Sequence, residues 1–161
     1  MRVEDRSTHS DSVLPLSVPP THRPPRLPSD TSTDSHALRL PAEDVSVPRA
    51  RHALDRWLRD RGASQDLREQ AALVISELAT NAVKHTDSSW ILCAAAYSPY
   101  GGLQVEVHDD DSSSRAPRRR TPTAERESGR GLHIVGALAK RWGVTVSPVT
   151  RGNAVWARLQ D

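Results

Sequence analysis

The chain has 161 residues, a formal net charge of +2 and a single cysteine, Cys93. This length allows one domain large enough to bury a core. A single cysteine excludes an internal disulfide and a metal site built from several cysteines, and the apolar run around Cys93 predicts a buried side chain. No apolar run approaches the roughly 18 residues of a membrane span, and no apolar region follows a basic start, so we expect a cytoplasmic protein without a membrane partner.

Residues 1–35 differ in composition from the rest of the chain. Eight of the twelve prolines precede residue 49, and no tryptophan or tyrosine does. A segment of this kind cannot offset its ordering entropy by burying side chains. We therefore predict a disordered tail at residues 1–35 and one folded domain at residues 36–161.

The basic residues are spread along the chain except for one cluster: Arg115, Arg118, Arg119 and Arg120. This cluster lies in a stretch rich in proline and serine, without a helix-turn-helix or zinc motif beside it. We expect no direct contact with nucleic acid.

The first predicted elements are a strand and two helices. Polar and apolar residues alternate at 36–41, and this stretch ends in proline, as in a short edge strand. Apolar residues at helical spacing predict a helix from residue 48 to about residue 62. Ser64 can cap a second helix, at residues 65–85.

Sheet periodicity follows, with strands predicted at residues 90–97 and 103–108 and a turn between them that makes a hairpin. A polar loop at 109–127 precedes a helix that is predicted to open at Gly131, run to about residue 141 and end at Gly143. Two strands, 144–149 and 154–159, flank a turn at residues 151–153 and complete the domain. Because each element must bury one face, this order predicts a two-layer α/β sandwich whose mostly antiparallel sheet is covered by helices on one face.

The second helix carries a candidate site at Glu77 and Asn81, which lie four residues apart and so on the same side of the helix. An asparagine oxygen is a suitable ligand for Mg²⁺ beside phosphate and water, and a carboxylate one turn away can orient or deprotonate a hydroxyl. The alternative is an ordinary solvated face, because both residues lie opposite an apolar stripe.

Two further segments could contact a ligand. Asp109, Asp110 and Asp111 end the hairpin, where a carboxylate could accept a hydrogen bond from adenine or belong to a hydrated turn. Gly129 and Gly131 flank Arg130 directly before the predicted third helix. Glycines there allow close approach of a phosphate to free N–H groups, although a plain loop-to-helix junction has the same appearance.

The order and spacing of these segments, together with a closing Gly-x-x-Val-Trp at residues 152–156, resemble a known domain. It is the Bergerat-type ATP-binding domain shared by gyrase, heat-shock chaperones, histidine kinases and mismatch-repair ATPases. The chain is more narrowly similar to the anti-sigma-factor serine/threonine kinases of that superfamily. The resemblance extends over residues 36–160.

The resemblance implies ATP and Mg²⁺ as cofactors and a role for each segment. It assigns Asn81 to the metal, Glu77 to the base that acts on a protein serine, and Asp109 to the adenine amine. The residues implied to lie around the phosphates are Gly129, Arg130 and Gly131.

The resemblance further implies a sigma factor and an anti-anti-sigma protein as partners, and it is compatible with a homodimer. Two positions depart from the family pattern: Asp111 replaces the glycine of Asp-x-Gly, and Asn153 replaces a frequent threonine. The alternative function is a non-catalytic module that keeps the fold and binds nucleotide or protein without transferring phosphate, because a fold alone does not prove chemistry.

Overall fold

A computed structural model of the protein describes residues 33–115 and 125–160, with the backbone alone at 114, 115 and 125–130. The strands and α-helices of these parts are, in chain order, β1 Asp34–Pro41, α1 Ser46–Arg59, α2 Gln65–His85, β2 Trp90–Ser98, β3 Gly102–Asp109, α3 Glu125–Leu138, β4 Arg141–Val146 and β5 Asn153–Leu159. Most of the predicted tail, residues 1–32, and the arginines at 118–120 lie outside the described residues.

The strands form one antiparallel sheet in the order β1-β2-β3-β5-β4. β1 lies at an edge, as its alternating sequence and terminal proline predict. The helices pack on one face of this sheet, and their apolar residues share a buried core with alternate residues of the strands. The structure thus confirms the predicted two-layer sandwich.

The helix that carries the candidate site, α2, has the predicted bounds. At its start the hydroxyl of Ser64 accepts a hydrogen bond from the N–H of Leu67 at 3.1 Å, which confirms the predicted cap. At its end Thr86 donates to the carbonyl of Ala82 at 2.5 Å. Leu67, Ala71, Val74, Ile75, Leu78, Ala79 and Ala82 bury its apolar stripe.

Cys93 lies in β2 on the face that packs against the helices and is 6% exposed, as predicted. Burial raises the pKa of its thiol to about 12, because the charged thiolate would lose its hydration there. The side chain is therefore a small part of the core.

The last third of the chain differs from the prediction. α3 begins at Glu125 and not at Gly131, and Gly143 lies inside β4 instead of ending a helix. The cause is tertiary, since the N–H of Lys140 already bonds to the carbonyl of Arg158 in β5 at 2.9 Å, and the residues after it continue this pairing. β4 then stops at Val146, because the next residues form a turn before β5.

No helix in the described parts of the chain is long and apolar enough to cross a membrane.

Candidate functional site

Glu77 and Asn81 are both partly exposed on α2, one turn apart. Glu77 meets the backbone of α3 at Gly131: a Cβ atom placed on this glycine would overlap Oε2 of Glu77 and lie 3.4 Å from its Cδ. A side chain at Gly131 would therefore displace the end of the Glu77 side chain, so glycine at this position lets the carboxylate keep its place beside α3. The structure thus brings together two segments that are 54 residues apart.

The glycine-rich segment itself is helical, which corrects the prediction that it lies before the helix. Gly129, Arg130 and Gly131 all belong to α3, and the side chain of Arg130 lies outside the described residues. In an α-helix the N–H groups beyond the first turn bond within the helix. In this conformation Gly131 therefore has no free N–H to offer to a phosphate.

Asp109 ends β3 and is 5% exposed. Its Oδ1 accepts hydrogen bonds from the N–H groups of Asp111 at 3.0 Å and of Asn153 at 3.2 Å. Gly152 packs directly against it, since a Cβ there would overlap Oδ1 and lie 2.7 Å from the carbonyl oxygen of Asp109. The last glycine of the sequence pattern is thus required by the carboxylate of the second segment.

The turn between β4 and β5, which contains Gly152, makes further contacts with the end of β3. The hydroxyl of Thr150 donates to the carbonyl of Asp109 at 2.6 Å, and Arg151 donates to both carboxylate oxygens of Asp110, from Nε at 3.2 Å and from Nη2 at 2.9 Å. These hydrogen bonds, opposed in part by burial and aided by the charges of Arg151 and Arg39, lower the pKa of Asp110 below its usual value. Asp110 is consequently ionised in a fork-to-fork ion pair at neutral pH.

The loop after α2 is tied to the same end of the sheet. Ser88 Oγ accepts from the N–H of Asp110 at 2.9 Å, and Asp111 Oδ2 accepts from the N–H of Asp87 at 3.0 Å. The end of α2 and the end of β3 are therefore held together. Asn81 lies about one turn before this junction.

The two departures from the family pattern fit this geometry. Asp111 is not in the left-handed backbone region, because no non-glycine residue of the described parts has a positive φ. Glycine is thus not required there, and the Asp111 carboxylate instead accepts from the N–H and hydroxyl of Ser113 at 2.8 and 2.6 Å. Asn153 contributes a backbone N–H to Asp109, which a threonine would also supply.

Thr150 and Arg151 are site residues that the sequence interpretation missed, because it assigned residues 151–153 only to a turn. Their partners are 41 residues away in the sequence, so local patterns contain no signal for these contacts. The one available clue was the glycine of the closing segment.

The donor set fits a metal that arrives with a nucleotide. Within the described residues, no group of three or more His, Cys, Asp and Glu side chains could hold a metal ion. Mg²⁺ commonly takes one or two protein oxygens and completes its shell with phosphate and water, so Asn81 beside Glu77 would suit a nucleotide-bound ion.

Comparison with known proteins agrees with this fold. No curated protein matches the sequence. The family model described as "Histidine kinase-like ATPase domain" matches residues 40–159. This range includes all three helices, the end of β1 and the other four strands. The antiparallel sheet with helices on one face is consistent with this domain, and the match supports ATP binding. The chain belongs to the histidine kinase-like ATPase domain family.

Proposed function

We propose that this protein is an anti-sigma factor that uses Mg-ATP to phosphorylate a serine of an anti-anti-sigma partner. In this proposal Asp109 receives the adenine amine, Asn81 holds Mg²⁺ and Glu77 acts as the base on the serine hydroxyl. The sigma factor is bound on a separate surface, so that phosphorylation of the antagonist decides whether the sigma factor is released.

The observation that carries the proposal is the contact between Glu77 and Gly131. The phosphate segment implied by the resemblance lies directly beside the candidate base, as a transfer from the terminal phosphate to a hydroxyl requires. Asp109 is held at the sheet end by two N–H groups and by the close packing of Gly152. In this proposal the adenine end and the phosphate end of the site lie on different elements.

Phosphate binding by Gly129 and Gly131 requires the first two turns of α3 to break their helical hydrogen bonds while the backbone at Gly131 stays beside Glu77, because the N–H groups of both glycines bond within the helix. Each glycine lowers helix stability by about 1 kcal/mol relative to alanine, so the start of α3 is a weak part of the helix. The same observation favours the second candidate function, a non-catalytic module, if α3 stays closed.

Nucleotide binding is tested by thermal unfolding with and without Mg-ATP. Wild type should unfold at a higher temperature with Mg-ATP, because a ligand that binds only the folded state stabilises it. Asn81→Ala should lose most of the magnesium-dependent part of this shift, and Asp109→Asn should narrow the preference for ATP over GTP. Absence of any shift at millimolar Mg-ATP would exclude the nucleotide site.

The two functions are separated by transfer of labelled phosphate to co-purified partner proteins. Glu77→Gln should keep ATP binding and reduce transfer by about 10² or more, since only the activation of the serine hydroxyl by the carboxylate is lost. Glu69→Gln is the matched control, because it is the same change on an exposed position of α2. Binding of Mg-ATP by wild type without phosphorylation of any partner favours the non-catalytic module.

A pair of glycine variants tests whether α3 must approach Glu77. Gly131→Ala and Gly136→Ala gain the same helix propensity, but only the first pushes into the Glu77 carboxylate. At Gly136 the added Cβ would lie 3.3 Å from Nε1 of Trp142. We expect Gly131→Ala to lose phosphate transfer and Gly136→Ala to keep it. Equal activity of the two variants would contradict a role for this contact.

A further inference from the structure

A chain of hydrogen bonds runs behind the adenine end of the site. On β3, Nε2 of His108 is 3.0 Å from Oε2 of Glu106, and Nδ1 of His108 is 2.9 Å from Oγ of Ser147. His108 is 3% exposed. None of these three residues has a role in the proposed phosphate transfer.

His108 cannot contact a nucleotide that Asp109 binds. Neighbouring residues of a strand point to opposite faces of the sheet. Asp109 lies on the same face as Val107, which belongs to the core under the helices, whereas His108 lies on the face away from them. Any effect of His108 on the site must therefore pass through another residue.

Ser147 fixes the direction of these hydrogen bonds. Its Oγ accepts from the N–H groups of Val149 at 3.2 Å and Thr150 at 2.9 Å, which occupy both of its lone pairs. Its own proton is then available to Nδ1 of His108, and in the tautomer that accepts this proton Nε2 carries the imidazole proton and donates to Glu106. Burial alone would raise the pKa of Glu106, but the hydrogen bonds from His108 and Gln104 outweigh it and lower that pKa.

The turn that Ser147 organises is the one that contacts Asp109. Ser147 N donates to the carbonyl of Gly152 at 3.0 Å and so closes the turn. Within it, Thr150 donates to the carbonyl of Asp109, and Gly152 packs on the carboxylate. The turn therefore contacts Asp109 at both its backbone carbonyl and its carboxylate.

We propose that His108 and Ser147 are positioning residues of the adenine site, which act by holding the 147–152 turn against Asp109. Glu106 serves only to orient the His108 ring. This inference rests on the proposed nucleotide site. The strand register puts three arginines on the same face of the sheet as His108: Arg39 on β1, Arg141 on β4 and Arg158 on β5. These are the charged groups that could compete for His108 or Glu106. Among the described residues, the side-chain hydrogen bonds of His108 are with Glu106 and Ser147.

Two substitutions of His108 separate its two contacts. An asparagine amide reaches the region of Nδ1, where its oxygen can accept from Ser147, whereas a glutamine amide reaches the region of Nε2, where its N–H can donate to Glu106. Each variant keeps one hydrogen bond and loses the other. Loss of stability should therefore be similar in the two proteins.

The affinity for Mg-ATP and Mg-GTP is measured for wild type, His108→Asn, His108→Gln and Ser147→Ala by calorimetry. We expect His108→Asn to bind ATP as wild type does, and His108→Gln and Ser147→Ala to bind it about tenfold more weakly, with a smaller preference over GTP. A combined His108→Gln and Ser147→Ala variant should be no weaker than either single variant.

The outcomes distinguish this inference from the function on which it rests. If wild type binds ATP and all variants bind it equally, or if affinity follows melting temperature in both His108 variants, the positioning role is refuted and the nucleotide site stands. If wild type binds no ATP, both are refuted.

Discussion

Gly152→Ala is the most direct test of how the site is built. The added Cβ would overlap Oδ1 of Asp109 and lie 2.7 Å from its carbonyl oxygen and 2.8 Å from its Cγ. Backbone and a buried carboxylate cannot yield as the end of a flexible side chain can. Overpacking of this kind costs about 1–3 kcal/mol, and displacement of Asp109 would weaken its hydrogen bonds from Asp111 and Asn153, each to a charged acceptor and worth about 1.5–3 kcal/mol.

With partial loss of these bonds, the free energy of unfolding should fall by about 3 kcal/mol, or about 10 °C in Tm for a domain of this size. Urea denaturation followed by circular dichroism measures the change, and thermal unfolding with Mg-ATP measures the accompanying loss of nucleotide binding.

Gly62→Ala is the control for this experiment. Gly62 has a φ of +71° and no atom within 4 Å of an added Cβ, so alanine there costs only backbone strain, about 1–2 kcal/mol. This variant should retain the full shift with Mg-ATP. The close packing of Gly152 on Asp109 is refuted if the free energy of unfolding of Gly152→Ala is within about 0.5 kcal/mol of that of wild type. It is also refuted if Gly152→Ala and Gly62→Ala affect nucleotide binding equally.

The remaining predictions concern single contacts. Ser64→Ala should lower the free energy of unfolding by about 1 kcal/mol through loss of the bond to Leu67, and Ser64→Asp should restore most of it, as measured by urea denaturation. Arg151→Ala should destabilise the protein at neutral pH, but the difference from wild type should vanish in acid. Asp110 has a lowered pKa, so its pairing contributes above the pKa of the unfolded chain, about 4, and is lost as the pH falls through the lower folded value. Cys93 should react with a thiol reagent only in denaturant, because its pKa of about 12 and its burial keep it protonated and inaccessible; rapid reaction of the folded protein would contradict the fold.

The sequence by itself determined most of the architecture. Helical and strand periods differ, so α2, the β2–β3 hairpin and the edge strand β1 could be predicted, and Ser64 marked the start of α2 through a contact only three residues away. The residues Glu77 and Asn81 could be paired for the same reason, since helix geometry alone puts them on one side. Asp109 could be placed at a strand end by the alternation of β3.

Tertiary structure decided what these residues contact. Gly131 suggested the start of a helix and Gly143 its end, where glycine is common. Gly131 instead lies within α3, and Gly143 pairs with Trp156 in a strand. The contact of Gly131 with Glu77, the contact of Gly152 with Asp109, and the bond from Thr150 to Asp109 join segments 40 or more residues apart. Local sequence patterns carry no information on contacts between residues so far apart in the chain. These atoms come together only because the helices pack on the sheet and β5 pairs between β3 and β4.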